Sequence, residues 1–388
     1  MRKKVYTDEV KVMMDNGSRS VLCTQAGCLC IVAIQKIRRR QVMKQWKKRG
    51  IVMATVFSLA AASLAGCAGN VNPEETLVTV GDTEVSYGVV NYYARLQQAQ
   101  YESYYASMLG TTGEAFWSQA GSDGKNYADT IKEGVMEDIQ ELYLIKQHAA
   151  EYGAELTEAE KTSIEETAKQ FVSENSQEER DAVSGDEKYV KEYLTLLTIE
   201  KKMDPLMTAD VDEEVSDEEA AQKAMDYIYV SYSTKDADGN SVDMSDEEKA
   251  ALKADVQTAL DELKAGKAEF AVVAAALGET VQTATFDAES YSPNSDLVAA
   301  ADALAAVGDV TELVETDNGI YVARLTSLLD RDATDSKKES IVEQRKNEQF
   351  EYLLEQWKEE TEITVNEKLW KKIDFRKLGV TVKQSETE

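Results

Sequence analysis

The sequence predicts an α+β chain: a mainly helical domain, interrupted by a small domain of mixed strands and helices and completed by a C-terminal helix. Three observations predict it. Apolar residues keep helical spacing through much of 77–222, strand runs alternate with short helices over 223–330, and charged helical sequence returns within 331–388.

Residues 77–80, Gly81-Asp82 and residues 83–85 read as strand, turn and strand. Val135, Ile139, Leu142 and Ala149 then hold one helical face, with Gly153 placed to end it. Thr157 with Glu160, and Ser216 with Glu219, have the spacing at which a hydroxyl and a carboxylate satisfy each other's orphan backbone N–H groups, so each predicts a helix start. Residues 227–232 are strand by composition, and a polar loop with Asp238-Gly239 follows. Ser245 and Glu248 cap a helix with Leu252, Val256, Leu260 and Leu263 on one side, stopped by Gly266. A short helix covers 270–277, a strand 281–286, and a further helix runs through Leu297 and Leu304 to end near Gly308. Residues 311–314 and 320–325 supply two last strands around an Asn318-Gly319 turn, giving the order β-α-α-β-α-β-β. Helical sequence from about 336 to 360, with Ile341, Phe350, Leu353, Leu354 and Trp357 apolar, is expected to pack back on the first domain.

The N-terminal region decides the compartment. Lys44, Lys47, Lys48 and Arg49 precede an apolar stretch, 51–64, too short to span a bilayer. Small residues follow, in the order of a secretory signal. The run Leu64-Ala65-Gly66-Cys67 resembles the lipobox of bacterial lipoproteins. That resemblance implies recognition of Leu64, Ala65 and Gly66 by signal peptidase, cleavage before Cys67 and lipidation of Cys67 at the extracytoplasmic face of the bacterial cell membrane. An ordinary signal peptide with an incidental cysteine is the alternative. On the lipobox reading 43–66 is the signal peptide and 67–76 a small, polar tether. Residues 1–42 precede it without clear periodicity. Arg38-Arg39-Arg40 stands just before Met43, and AGG arginine codons would make a ribosome-binding sequence there, so translation is expected to begin at Met43 with 1–42 an upstream leader. Arginine codons of the CGN type would remove that argument. A metal or redox site at Cys23, Cys28 and Cys30 is the rival reading and lacks a fourth ligand nearby.

Charge and composition exclude several functions. The 66 residues before Cys67 carry 13 of the 43 Lys and Arg but 3 of the 72 Asp and Glu, so the remainder has a net charge of −39. Nucleic acid is excluded as a partner, since binding it requires cations against phosphate. Cys67 is the last cysteine, so an exported chain folds without disulfides. His148 is the single histidine, which excludes a multi-histidine metal site and leaves little for histidine catalysis. The acidic runs at 210–214 and 217–219 lack the glycine and spacing of a calcium loop and read as solvated surface, so no metal or cofactor is expected. No serine, cysteine or carboxylate arrangement makes a hydrolase. Tyr92, Tyr93, Tyr101, Tyr104, Tyr105, Phe116 and Trp117 make the front of the helical domain aromatic; they either line a groove for extended apolar clients or pack as core, with core favoured for any single residue.

A family resemblance rests on three stretches. Leu260-x-x-Leu263-Lys264-Ala265-Gly266-Lys267-Ala268-Glu269-Phe270, the run Val307-Gly308-Asp309-Val310-Thr311-Glu312-Leu313-Val314-Glu315-Thr316 and the run Asn318-Gly319-Ile320-Tyr321-Val322-Ala323-Arg324-Leu325 are similar to segments of parvulin-type peptidyl-prolyl isomerases. With the split helical region and the lipobox, the chain resembles PrsA-type foldase lipoproteins and SurA-type periplasmic chaperones. The resemblance implies a SurA-N-like helical chaperone domain over 77–222, a parvulin-like domain over 223–330, and a C-terminal helix and tail over 331–388. It also implies unfolded exported polypeptides as partners and membrane attachment through the lipid, and leaves a homodimer open.

The departures bear on chemistry. Where parvulins place histidines on the first and last strands, this chain has Tyr227 and Tyr321, and the family's Gly-Gly-Asp-Leu-Gly turn is absent. Isomerisation requires lowering a barrier of about 18–20 kcal/mol by binding the twisted imide better than the planar forms. A tyrosine pair preserves hydrogen bonding but stays neutral near pH 7 and does not exchange protons as imidazole does. The resemblance therefore implies a foldase or holdase whose parvulin-like domain is catalytically weak or inert. An active isomerase using Tyr227 and Tyr321, and a surface-binding or envelope-structural lipoprotein, are the alternatives.

Overall fold

The computed structural model describes residues 59–62, 71–103, 113–121, 124–236 and 239–382. The leader, most of the signal segment, Leu64 to Cys67, Tyr104 and Tyr105 lie outside them. The chain is mixed helix and sheet and divides into two compact units, one of Met1–Ala209 with Phe350–Glu388 and one of Asp210–Gln349.

The first unit opens with β1 (Leu59–Ala62), β2 (Thr76–Val80) and β3 (Thr83–Ser86), followed by α1 (Tyr87–Tyr101), α2 (Gly113–Trp117), α3 (Tyr127–His148), α4 (Glu158–Glu174), α5 (Gln177–Val183) and α6 (Glu187–Met207). Strands β2 and β3 pair antiparallel across Gly81, whose φ of +56° suits the residue without a Cβ. The helices start where side chains can take up backbone N–H groups. Asn126 accepts from Asp129 N at α3, and Thr157 with Glu160 forms a reciprocal capping pair at α4. Helix α1 is buried around most of its circumference. Gly88 lets it do so, because a Cβ there would lie 2.3 Å from the Tyr189 ring.

The second unit contains β4 (Lys223–Ser231), β5 (Ser233–Lys235), β6 (Ser241–Asp243), α7 (Asp246–Lys264), α8 (Phe270–Ala276), β7 (Gln282–Phe286), α9 (Ser295–Asp302), β8 (Val314–Thr316) and β9 (Gly319–Ser327). Its sheet has the order β7-β4-β9-β8, antiparallel throughout. Alternation along the strands divides the side chains between two faces. Ile228, Val230, Ile320 and Val322 pack with Val256 and Leu260 of α7 and Phe270 and Val273 of α8. Met225, Tyr227, Ala323 and Leu325 face the other way, onto Leu297, Val298 and Ala301 of α9. With both faces covered, the central strands carry few charges, which is why they were legible as strands by composition.

Four features differ from the sequence expectation. Ser216 does accept a hydrogen bond from Glu219 N (3.1 Å), but only a turn forms, because β4 claims the chain from Lys223 onward. The polar loop after β4 contains a hairpin, β5 paired with β6. Helix α9 stops at Asp302, well before Gly308. The strand placed at 311–314 begins at Val314, although Val310 forms an isolated bridge with Arg324.

Helix α10 (Arg331–Glu360) begins in the second unit and ends in the first, followed by β10 (Ile363–Val365), α11 (Glu367–Trp370) and β11 (Gly379–Val382). Its Phe350, Leu354 and Trp357 are buried in the first unit's core. There the indole of Trp357 stacks on the His148 ring at 4.1 Å and 7°, which makes the single histidine a packing residue. Strand β10 adds to β2, and β11 pairs with β1.

Candidate functional site: a tyrosine face on the second unit's sheet

The register of β4 and β9 sets Tyr227 opposite Ala323 and Tyr229 opposite Tyr321. Tyr227, Tyr229 and Tyr321 therefore project from the face that carries α9. Ring centroids are 6.2 Å apart for Tyr227 and Tyr321 and 4.5 Å for Tyr229 and Tyr321. The two tyrosines singled out from the sequence do meet, as diagonal neighbours. The residue directly across from Tyr321 is Tyr229, which the sequence reading missed. Period-2 alternation from Tyr227 was the signal that could have found it.

Two hydrogen bonds tie this face to its surroundings. Tyr227 donates to Gln282 Oε1 on β7 (2.7 Å), and Tyr229 donates to the Asn318 carbonyl at the β8–β9 turn (2.9 Å). Gly319 is required beneath Tyr229, since a Cβ there would lie 2.3 Å from the Val230 carbonyl and 2.7 Å from the Tyr229 ring. Burial raises the Tyr227 hydroxyl above its ordinary value, so it stays neutral across the physiological range. The face offers aromatic surface and neutral hydroxyls. It can hold an apolar ring or accept a backbone hydrogen bond, and its three rings are phenols where an imidazole would exchange protons near pH 7.

A separate cleft of about 600 Å³ opens in the second unit between the ends of β4 and β7 and the stretch of α10 from Lys337 to Glu348. Its cations are matched inside it: Lys223 pairs with Asp302 (2.9 Å), Lys337 with Asp287 (2.9 Å) and Arg345 with Glu219 (2.6 Å). Burial alone would raise the Asp287 carboxyl, but hydrogen bonds from Lys337, Gln222 and Ser290 outweigh it and hold the group at about 2. The cleft is a seam of ion pairs. Among the described residues no group of three or more His, Cys, Asp or Glu side chains is arranged to hold a metal ion.

The aromatic cluster of the first unit is core. Tyr92, Tyr93, Phe116 and Trp117 are buried, and Tyr101 is partly buried against the same core. Tyr92 packs edge-on to Phe171 (5.4 Å), and Trp117 lies against Phe116 (4.8 Å) and Phe375 (4.9 Å). Of the two readings the sequence left, a client groove or core packing, burial favours core for Tyr92, Tyr93, Phe116 and Trp117. Apolar area of this size, gathered in one segment of a helical unit, is worth most when removed from water. Beside them lies a buried polar network. Glu102 accepts from Trp117 Nε1 (2.7 Å), Gln98 Nε2 (2.7 Å) and Val380 N (3.0 Å), and its pKa is raised by burial against the lowering effect of those three donors.

No protein-family model and no curated protein matches the chain. Among solved structures it is similar to the foldase protein PrsA of Streptococcus pneumoniae, with 18% identity and a TM-score of 0.29, covering 67% of this chain and 99% of that one. A PrsA foldase of Lactococcus lactis gives 12% identity and a TM-score of 0.32 over 77% of this chain and 99% of that one. A SurA-like chaperone structure from Campylobacter jejuni gives 10% identity and a TM-score of 0.24 over 75% and 98%. Among the described residues no helix is long and apolar enough to cross a membrane.

Proposed function

We propose that the chain is an extracytoplasmic foldase of the PrsA/SurA type, tethered to the bacterial membrane by a lipid on Cys67 and assisting the folding of exported polypeptides. The second unit is a divergent parvulin-like domain whose isomerase activity is weak or absent, and holding unfolded chains is the main activity. The observation that carries this reading is the tyrosine face. Its place at the junction of the first and last long strands, over α9, fits the position implied for the parvulin histidines, yet it supplies phenols in their place, with Tyr227 bonded to Gln282 and Tyr229 to Asn318.

Acceleration of X-Pro rotation requires a pocket that favours the twisted imide and tunes polarity around its carbonyl. The three rings can pack against a proline but are phenols and not imidazoles. The alternative of a surface-binding lipoprotein called for a deep polar ligand site, and the second unit's cleft spends its three cations on its own carboxylates. The test is prolyl isomerisation by the purified full chain across several residue-proline peptides, with and without Tyr227→Phe and Tyr321→Phe. We expect rates indistinguishable from the uncatalysed reaction in all three proteins. Clear acceleration that collapses in either variant would establish an isomerase using an unusual tyrosine pair.

A further inference from the structure

We propose that the basic surface formed by residues 368–377, on and after α11, is a docking surface for an anionic lipid bilayer and turns that side of the first unit to the membrane. The inference rests on the lipobox reading above and goes beyond it, because a lipid on Cys67 fixes a distance but no orientation.

The chain's charge is distributed unevenly. Five of the ten residues from 368 to 377 are Lys or Arg and one, Asp374, is acidic, with Glu367 just outside, in a chain whose part from Cys67 onward has a net charge of −39. Lys368, Lys371, Lys372, Arg376 and Lys377 are exposed, while Leu369, Ile373 and Phe375 between them are buried in the first unit's core. The backbone beneath is held as well: Arg95 Nη1 donates to the Asp374 carbonyl (3.2 Å) and Gln98 Nε2 to the Phe375 carbonyl (3.1 Å). The cations are thus displayed from a fixed support, which reduces the ordering cost of binding. Asp374 takes up Arg376 (2.9 Å) and Lys377 (3.6 Å), and Asp129 and Glu114 also act on Arg376. Among the described residues the ammonium groups of Lys368, Lys371 and Lys372 have no ion-pair partner. Trp370 sits among them, partly buried, with the Lys132 ammonium 4.5 Å from its ring centre. An indole with one wet edge suits a membrane–water boundary.

The place of the patch says what covers it. Strand β10 runs antiparallel to β2 with Val365 opposite Val78, and Asn366 N donates to the Leu77 carbonyl (2.8 Å). The chain leaving β10 into α11 therefore passes the end of β2 at which the chain arrives from Cys67. Val71 already packs on the core. The four residue steps from Cys67 to Val71 reach about 14 Å at full extension. A lipid on Cys67 holds this end of the unit within about two Debye lengths of the headgroups at physiological salt. At that range an anionic surface repels the acidic remainder of the chain and attracts the free lysines.

The experiment uses the mature full-length protein, with the modification it carries, reconstituted into vesicles of phosphatidylcholine alone or mixed equally with phosphatidylglycerol. Lysines are labelled with an amine-reactive reagent and read by mass spectrometry. Labelling of Lys368, Lys371, Lys372 and Lys377 should fall about fivefold on the mixed vesicles, the population shift that one lysine provides near an anionic surface. It should recover at about 1 M salt, where the Debye length is about 3 Å. Lys161 is the internal control, since it stands on α4, which begins beyond the end of α3 opposite to Lys132, and its labelling should not change. With Lys368→Gln, Lys371→Gln and Lys372→Gln combined, exposed changes that leave the core intact, Lys377 should label equally on both vesicles. Equal labelling of the unaltered chain on the two vesicles, an equal fall at Lys161, a fall that survives the triple substitution, or protection on phosphatidylcholine by free glycerol phosphate would each overturn the proposal. Flotation with phosphatidylcholine vesicles separates the readings: flotation with unchanged labelling removes the docking surface alone, and failure to float removes the lipid anchor and this proposal with it.

Discussion

Replacing Trp117 distinguishes a core residue from a client-binding one. Its side chain is fully buried, lies against Phe116 and Phe375, and donates Nε1 to Glu102 at 2.7 Å. Trp117→Ala removes the largest buried ring of the unit and should cost about 3–5 kcal/mol. Trp117→Phe keeps an aromatic ring but leaves the buried Glu102 carboxylate one donor short, for about 1–3 kcal/mol. In a unit of this size each kcal/mol moves the melting temperature by about 2–4 °C. Tryptophan fluorescence reports on the first unit, because three of the four tryptophans, Trp117, Trp357 and Trp370, belong to it and the fourth, Trp46, precedes the lipobox. A thermal melt of the full chain followed at the tryptophan emission should therefore fall markedly for Trp117→Ala and less for Trp117→Phe. Unchanged melting together with lost protection of unfolded clients would refute the assignment of this ring to the core.

Acid should act on the second unit through Asp287, whose carboxyl is held at about 2. A depressed carboxylate contributes stability above its unfolded value near 4, and loses it as pH falls through the folded value. The contribution is about 2 kcal/mol, and Asp287→Asn should remove the part of the pH dependence lying between about pH 4 and pH 2; urea titrations read at tyrosine emission would show an unaltered slope if Asp287 were not responsible. Cys67→Ser should release the protein from the membrane fraction, and continued membrane attachment with acylation elsewhere would overturn the lipobox assignment.

Much of the architecture was legible because local patterns and tertiary contacts agree. The reciprocal caps at Thr157/Glu160 and Ser245/Glu248 form as their spacing implies, and the alternation of β4 and β9 places Tyr227 and Tyr321 together. The failures have one cause, tertiary competition. Ser216 and Glu219 satisfy local capping chemistry, but Gln222 is drawn to Asp287 (2.7 Å) and Glu219 to Arg345 (2.6 Å), and the strand takes the chain before a helix can extend. Strands β1, β10 and β11 are three or four residues long and acquire meaning only from distant partners, so no window of sequence reveals them. The aromatic cluster was visible as composition, whereas its burial depends on Phe171, Tyr193 and Phe375, far along the chain. Tyr229 was readable from alternation alone; its partner Tyr321 needed the register.

The most direct measurement is light scattering from an unfolded polypeptide diluted into buffer with and without the purified full chain, at equal concentrations. The account predicts suppressed aggregation that persists in Tyr227→Phe and Tyr321→Phe, since holding does not depend on the tyrosine face. Unaltered aggregation at a large excess of the chain would contradict it.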